Sequence, residues 1–151
     1  MFVKRLLFGF LSGLLFLILS AQQAGAPLKT TWKTLEDVDF DKKWNADEGM
    51  YVLYPKFGES VKALEGKTIT ITGYVIPIDY SGNIYVLSAN PYSSCFFCGG
   101  AGPESVMSLK FSKKGKRFRT DERVTFTGVL RLNAHDVYEL NYILLEAEPL
   151  D

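Results

Sequence analysis

The stretch Thr68–Ile78 reads Thr-Ile-Thr-Ile-Thr-Gly-Tyr-Val-Ile-Pro-Ile, and it decides the fold class of the chain. Threonine and isoleucine alternate up to Gly73, which is the period of two of a half-buried strand. The pattern recurs as Val-Thr-Phe-Thr-Gly over Val124–Gly128, again after a charged turn. Because a glycine inside a strand usually marks a bulge or a barrel corner, two long strands bent in this way predict a small closed barrel.

The rest of the C-terminal part reads as short strands joined by turns. The pattern predicts a return strand, a third strand, a fourth strand that contains the second glycine, and a fifth, over residues 84–88, 105–111, 123–132 and 138–147. Five strands at short spacing with little helix predict a mainly β fold. We expect a five-stranded Greek-key barrel of the oligonucleotide/oligosaccharide-binding (OB) type, with a short β-sandwich as the alternative.

The residues before the barrel form a different kind of segment. Lys29–Met50 is acidic in its middle, and we interpret it as a lead-in arm with a short strand or turn, docked by Trp32. The order of residues from Tyr54 to Leu64 permits one helical turn that starts at Pro55. Three apolar residues there share a helical face, at Phe57, Val61 and Leu64.

The N-terminus has the pattern of a secretory signal that precedes the lead-in arm as a signal helix. Lys4 and Arg5 precede an uncharged, mostly apolar run of 14 residues, Leu6–Leu19, and small residues follow it. An uncleaved anchor is the alternative, but about 20 apolar residues are needed to span a bilayer. Since no cysteine lies near the run, lipidation is not expected. We therefore expect an exported protein, periplasmic or secreted, which touches the membrane only through this segment if it stays uncleaved.

Length and charge set further limits. The chain has 151 residues, with 17 basic and 17 acidic side chains. We divide it into a signal peptide (1–21), a lead-in arm with a short helix (22–64) and one barrel domain with a cysteine loop (65–151). Zero net charge and 14% aromatic residues argue against disorder and against a strong basic field for nucleic acid.

The strongest chemical signal is the pair Cys95 and Cys98, followed at once by Gly99 and Gly100. In such a knuckle two thiolates converge on one ion, and the glycines let backbone N–H groups turn toward the sulfurs. A structural zinc site needs four ligands. The other candidates are the lone histidine, His135, and either water or a carboxylate, with Glu104 preferred and Asp136 and Asp79 also possible. A second chain could also supply the missing pair of ligands. Cu(I) needs fewer ligands and favours thiolates.

Two other interpretations of the cysteine pair stay open. A Cys-x-x-Cys motif also serves thiol–disulfide exchange, although no strand–helix–strand pattern surrounds it here. A structural disulfide that closes so short a loop contributes only about 2 kcal/mol. In that case the protein would be an OB-like adaptor whose disulfide shapes a contact loop. Thiol exchange is the one enzymatic activity that the sequence allows, because a single histidine leaves few options for nucleophilic catalysis.

A cluster of six basic residues lies between Lys110 and Arg119. An OB barrel with a basic segment suggests nucleic-acid binding. We favour a solvated turn instead, because the protein is expected to be exported and has no net positive charge. No nucleic-acid partner is therefore expected.

The motifs resemble a family of small exported bacterial proteins of unknown function. That family has a Gly-Tyr-Val-x-Pro strand and a Tyr-x-x-Cys-x-x-Cys-Gly-Gly-Ala-Gly-Pro-Glu segment, which match Gly73–Pro77 and Tyr92–Glu104 here. The resemblance covers roughly residues 65–147. Some related families are associated with metal transport or other membrane transport, which implies a metal-binding role. We therefore expect a non-enzymatic module that holds Zn or Cu and serves an envelope or membrane-transport protein.

Overall fold

The computed structural model describes residues 26–79, 84–92, 102–113 and 117–150. The predicted signal and the two cysteines lie outside these ranges. In chain order, the described strands are β1 Leu28–Lys29, β2 Val38–Asn45, β3 Met50–Phe57, β4 Thr68–Asp79, β5 Ile84–Ser88, β6 Val106–Phe111, β7 Glu122–Leu132 and β8 Tyr142–Leu150. Two four-residue helices, α1 Trp32–Leu35 and α2 Glu59–Lys62, lie among the first four strands, and a 3₁₀-helix, Pro103–Ser105, precedes β6.

Five of these strands form a closed barrel. The neighbours run β4-β5-β6-β8-β7, and β7 pairs back with β4, so the sheet closes on itself. Only β6 and β8 are parallel within this ring, while the other pairs are antiparallel. This confirms the predicted mainly β, five-stranded OB-like barrel over the alternative sandwich.

The two segments of the internal repeat pair with each other. In the β4–β7 ladder Gly73 lies opposite Val124, and Ile69 lies opposite Gly128, so a local two-fold axis relates the copies. A Cβ on Gly73 would lie 2.6 Å from the carbonyl oxygen of Ser88, and a Cβ on Gly128 would lie 2.6 Å from that of Leu145. Both glycines are therefore needed because a neighbouring strand passes too close for any side chain.

A cluster of aromatic rings forms one part of the barrel core. Phe118 packs edge-on against Tyr85 and Phe126 and stacks on Phe111, with centroid distances between 5.4 and 5.8 Å. Phe118 comes from the basic connection between β6 and β7, yet its side chain is buried. That connection is thus fixed to the core by one apolar residue among its charged ones.

The lead-in arm is more ordered than its sequence indicates. β2 and β3 form an antiparallel hairpin with eight residues in each strand, in which Phe40 lies opposite Pro55. The predicted helical turn from Pro55 is therefore wrong: Pro55 belongs to β3, and α2 begins at Glu59. The predicted docking of Trp32 is confirmed, because its indole Nε1 donates to the Thr72 carbonyl at 2.8 Å. The three apolar residues that were assigned to one helical face do all contact the core, at Phe57, Val61 and Leu64.

The last strand begins later than its sequence pattern predicts. Residues 138–141 belong to the connection from β7, and β8 starts at Tyr142. The side-chain amide of Asn133 donates to the carbonyls of Asp136 and Glu139 at 2.7 and 3.0 Å, which holds the connection folded. Within the ranges that the structure describes, no helix is long and apolar enough to cross a bilayer.

Candidate functional site

The residues on either side of the cysteine segment are tied together at the barrel. The main-chain N–H of Ala89, which follows β5, donates to the carbonyl of Ser105 at 2.9 Å. Ser88 is almost fully buried, and its hydroxyl accepts a bond from the N–H of Asn90. The described residues that flank the stretch containing Cys95 and Cys98 are therefore held together, and we call these contacts the closed base of the cysteine segment.

Asp121 fixes the N-terminal side of this base. Its carboxylate Oδ1 accepts the main-chain N–H of Tyr92 at 2.6 Å, and its own N–H donates to the carbonyl of Val75 at 2.9 Å. Asp121 adopts φ = 63°, which is uncommon for a residue other than glycine. A left-handed residue costs free energy and persists only where its surroundings hold it. The contacts of Asp121 supply that support beside the cysteine segment.

The C-terminal side of the base is built around Glu104. Its Oε1 accepts the N–H of Gly102 at 3.2 Å, and the Ser105 hydroxyl donates to the Gly102 carbonyl at 2.7 Å. A Cβ on Gly102 would collide with the Glu104 carboxylate. Burial, followed by the nearby charges of Glu104 and Asp37, raises the pKa of Tyr142 well above its usual range. Glu104 is therefore half-buried, and its carboxylate lies close enough to the core for its charge to raise the pKa of Tyr142.

His135 lies in the connection between β7 and β8 and is exposed. It contributes to the wall of a shallow cavity of about 160 Å³, which Val52, Leu53 and Tyr54 of β3 also line. His135 precedes β8 and Glu104 precedes β6. Because these two strands are parallel neighbours, the residues belong to connections that enter the barrel at the same end.

The proposed ligand set is only partly described. Among the described residues, no three His, Asp or Glu side chains lie close enough together to hold a metal ion. Both cysteines fall outside those residues, so the combination of Cys95, Cys98, His135 and Glu104 stays a prediction. Sequence reasoning missed Asp121 and Ser88, because one aspartate at the end of a charged turn and one serine at the end of a strand carry no distinctive pattern.

The described part of the basic segment makes local contacts. Lys110 pairs with Glu139 at 2.8 Å, and the main-chain N–H of Arg119 donates to the Glu122 carboxylate at 2.9 Å. Lys113 and Arg117 are exposed. These contacts suit a solvated turn whose only buried side chain, among the residues described there, is Phe118.

Of the comparisons with known proteins, the one with solved structures bears on the fold. No protein-family model matches the chain. No curated protein matches it either. Among solved structures, the chain is similar to the crystal structure of a DUF3299 family protein from Pseudomonas aeruginosa PAO1, with a TM-score of 0.50 and 16% identity over 84% of this chain and 98% of that one. At this identity the likeness concerns the fold. This likeness fits the expected relation to a small family of unknown function. That the family shares the cysteine motif stays a prediction.

Proposed function

We propose that the protein is an exported, non-enzymatic module that binds one soft metal ion through Cys95 and Cys98. The observation that supports this most is the closed base of the cysteine segment, where the N–H of Ala89 donates to the carbonyl of Ser105 at 2.9 Å. Both borders of the segment are fixed to the barrel, which reduces the entropy lost when two thiolates close around an ion.

The residue types suit Cu(I) or Zn²⁺. Thiolates are soft ligands that select these ions, and a Cys-x-x-Cys-Gly knuckle brings two of them to one ion. Two thiolates can satisfy Cu(I), whereas Zn²⁺ needs two further ligands. For zinc these would be His135 and Glu104, which belong to connections at the same end of the barrel. The protein would then serve a metal-handling partner in the cell envelope, such as a membrane-transport protein.

A competition titration tests the binding and identifies the ion. The reduced protein is titrated against a colorimetric chelator of Cu(I), and separately against one of Zn²⁺, with one equivalent of metal. We expect one ion per chain, and we expect Cys95→Ser or Cys98→Ser to abolish its retention. Ser93→Ala and Ser94→Ala are matched controls next to the pair, and neither should change the affinity.

The variants His135→Ala and Glu104→Gln separate the two ions. A Cu(I) site of two thiolates keeps its affinity in both variants, whereas a four-ligand zinc site loses about tenfold or more in each. Failure of the reduced protein to compete for either metal would overturn the proposal. If the pair instead forms a disulfide that glutathione reduces within seconds, thiol–disulfide exchange replaces metal binding as the function.

A further inference from the structure

Within the part of the chain that the structure describes, the outer edges of the β2–β3 hairpin have no main-chain partner. The two strands form a separate two-stranded sheet. The outer edge of β3 runs beside the β7–β8 connection, where Val52, Leu53 and Tyr54 line the cavity shared with His135. Apart from its ladder with β3, no main-chain hydrogen bond reaches residues 39–45 within the described parts of the chain. Neither outer edge therefore has a main-chain partner among the described residues, and we consider the edge of β2 because the edge of β3 lies beside the β7–β8 connection.

The solvent-facing side of the hairpin is also apolar. Trp44 and Tyr51 lie opposite each other with 58% and 59% of their surfaces exposed, and Leu53 is 47% exposed. The rings of Trp44 and Tyr51 meet edge-on, with 5.3 Å between their centroids. A two-stranded sheet is only marginally stable by itself, and an unpaired edge beside exposed aromatic residues is a template for another strand.

We propose that the partner at this edge is a second copy of the chain. Two β2 strands pair antiparallel about a two-fold axis at Lys42, which gives a four-stranded sheet in the order β3-β2-β2-β3. In this register Asp41 lies opposite Lys43 of the second copy, and Phe40 lies opposite its Trp44. The axis repeats each pair, so the contact contains two opposite-charge pairs and two apolar pairs.

Neighbouring registers are less complementary. An axis at Asp41 also brings Asp39 opposite Lys43 and Val38 opposite Trp44, but it places the two Asp41 carboxylates face to face and puts Phe40 opposite a lysine twice. An axis at Lys43 places the Lys43 side chains face to face and puts Lys42 opposite Trp44. An axis at Lys42 is the one of these three in which no apolar residue of Phe40–Trp44 lies opposite a charged one, so we favour this register.

The lysines must be accommodated, since lysine on an edge strand commonly prevents pairing. Lys42 lies on the axis, where two like charges approach. Its Nζ is 5.1 Å from the centroid of the Tyr51 ring, so the ammonium group is drawn over β3 and away from the outer edge. Asp41 already bonds Lys56 at 2.9 Å and lies 3.4 Å from Lys43 on its own strand. In the dimer, Lys43 of the second copy would join the ion pairs that Asp41 already makes with Lys56 and Lys43 of its own chain.

Sedimentation velocity over a range of protein concentrations, with hydrogen exchange, tests this proposal on the full processed chain. We expect a reversible monomer–dimer equilibrium, and we expect amides of residues 39–45 to become more protected as the concentration rises. Lys43→Asp places two carboxylates opposite each other twice, so it should weaken dimerisation by about tenfold or more. Lys113→Asp makes the same change of charge on the exposed basic connection and is the matched control.

The charge-swap variant makes the test specific. Asp41→Lys combined with Lys43→Asp exchanges the two charges along the strand and recreates both opposite-charge pairs, so dimerisation should return to within about threefold of the original. A monomer at all concentrations up to the millimolar range would overturn the proposal. So would a dimer that is insensitive to Lys43→Asp, or one whose protected amides lie in the barrel strands or in β3.

Discussion

Alanine at Gly73 or Gly128 tests the packing on which the barrel closure depends. At Gly73 the new Cβ would lie 2.6 Å from the Ser88 carbonyl oxygen and 2.8 Å from Cγ of Leu87. At Gly128 the corresponding distances to Leu145 and Leu144 are also 2.6 and 2.8 Å. Since the first obstacle in each case is the main chain of a paired strand, relief requires a shift of the ladder itself.

The expected loss of stability follows from two opposing effects. Overpacking a close contact costs about 1–3 kcal/mol. Replacing glycine by alanine also restricts the unfolded chain, which returns about 0.4–1 kcal/mol. Because a backbone carbonyl cannot rotate away, we expect the steric cost in its upper range and a net loss of about 2 kcal/mol for Gly73→Ala. The two-fold relation of the sites predicts a similar loss for Gly128→Ala.

Urea unfolding of the purified protein, followed by far-ultraviolet circular dichroism, measures these losses. Gly66→Ala is the control, because Gly66 has φ = 69° and no atom within 4 Å of a new Cβ. It should lose about 1 kcal/mol from backbone conformation alone. Losses below about 0.5 kcal/mol at both Gly73 and Gly128, or a large loss at only one of them, would refute this account of the closure.

Three further substitutions test the contacts around the barrel. Trp32→Phe removes the indole N–H bond to β4 and should lower the free energy of unfolding by about 1 kcal/mol in the same urea assay; no change would mean that the indole bond is dispensable. Asp121→Ala should speed hydrogen exchange at the Tyr92 amide while Asp121→Asn, which keeps an acceptor, should not, and equal rates in all three proteins would contradict the assigned contact. Asp37 accepts bonds from the hydroxyl and N–H of Ser60, which lower its pKa. The charge-dependent part of its stabilising effect relative to Asp37→Ala should therefore be complete above its ordinary value of 3.8 and be lost as the pH falls through the lower folded pKa; a stability difference that does not change with pH would contradict this.

The barrel strands could be predicted because their sequence pattern is purely local. Alternating β-branched residues define β4, and the repeat at Val124–Gly128 identifies a second strand of the same kind, β7. The ladder then places the two copies against each other, a consequence that the repeat alone does not specify. Gly73 and Gly128 could be interpreted from the sequence because each lies inside a strand, where glycine usually marks a bend or the close approach of another strand.

The hairpin before the barrel was harder to predict. Four of the five residues in Asp39–Lys43 are charged. Because Lys42 takes the position between Phe40 and Trp44 on the same face of the strand, the alternation of apolar residues is obscured. Pro55 suggested the start of a helix, but it lies in β3, opposite Phe40. The folded β7–β8 connection depends on side-chain bonds of Asn133 to residues three and six positions ahead, which no periodicity signals.

The borders of the candidate site show a different limit of sequence analysis. The motif predicts a chemical centre at Cys95 and Cys98, whereas Asp121 lies 29 positions from the residue it holds. Such long-range contacts follow from the closure of the barrel, so they become visible only when the fold is known. The sequence thus yields a prediction for the chemistry of this site but none for the contacts that support it.

Elemental analysis with a thiol count, on protein isolated from the bacterial periplasm without added metal, tests metal binding most directly. We expect close to one equivalent of copper or zinc per chain, and loss of this metal in the Cys95→Ser, Cys98→Ser double variant. We also expect two thiols that react only after denaturation with a chelator present. Protein that contains no metal and no free thiol would contradict the proposal.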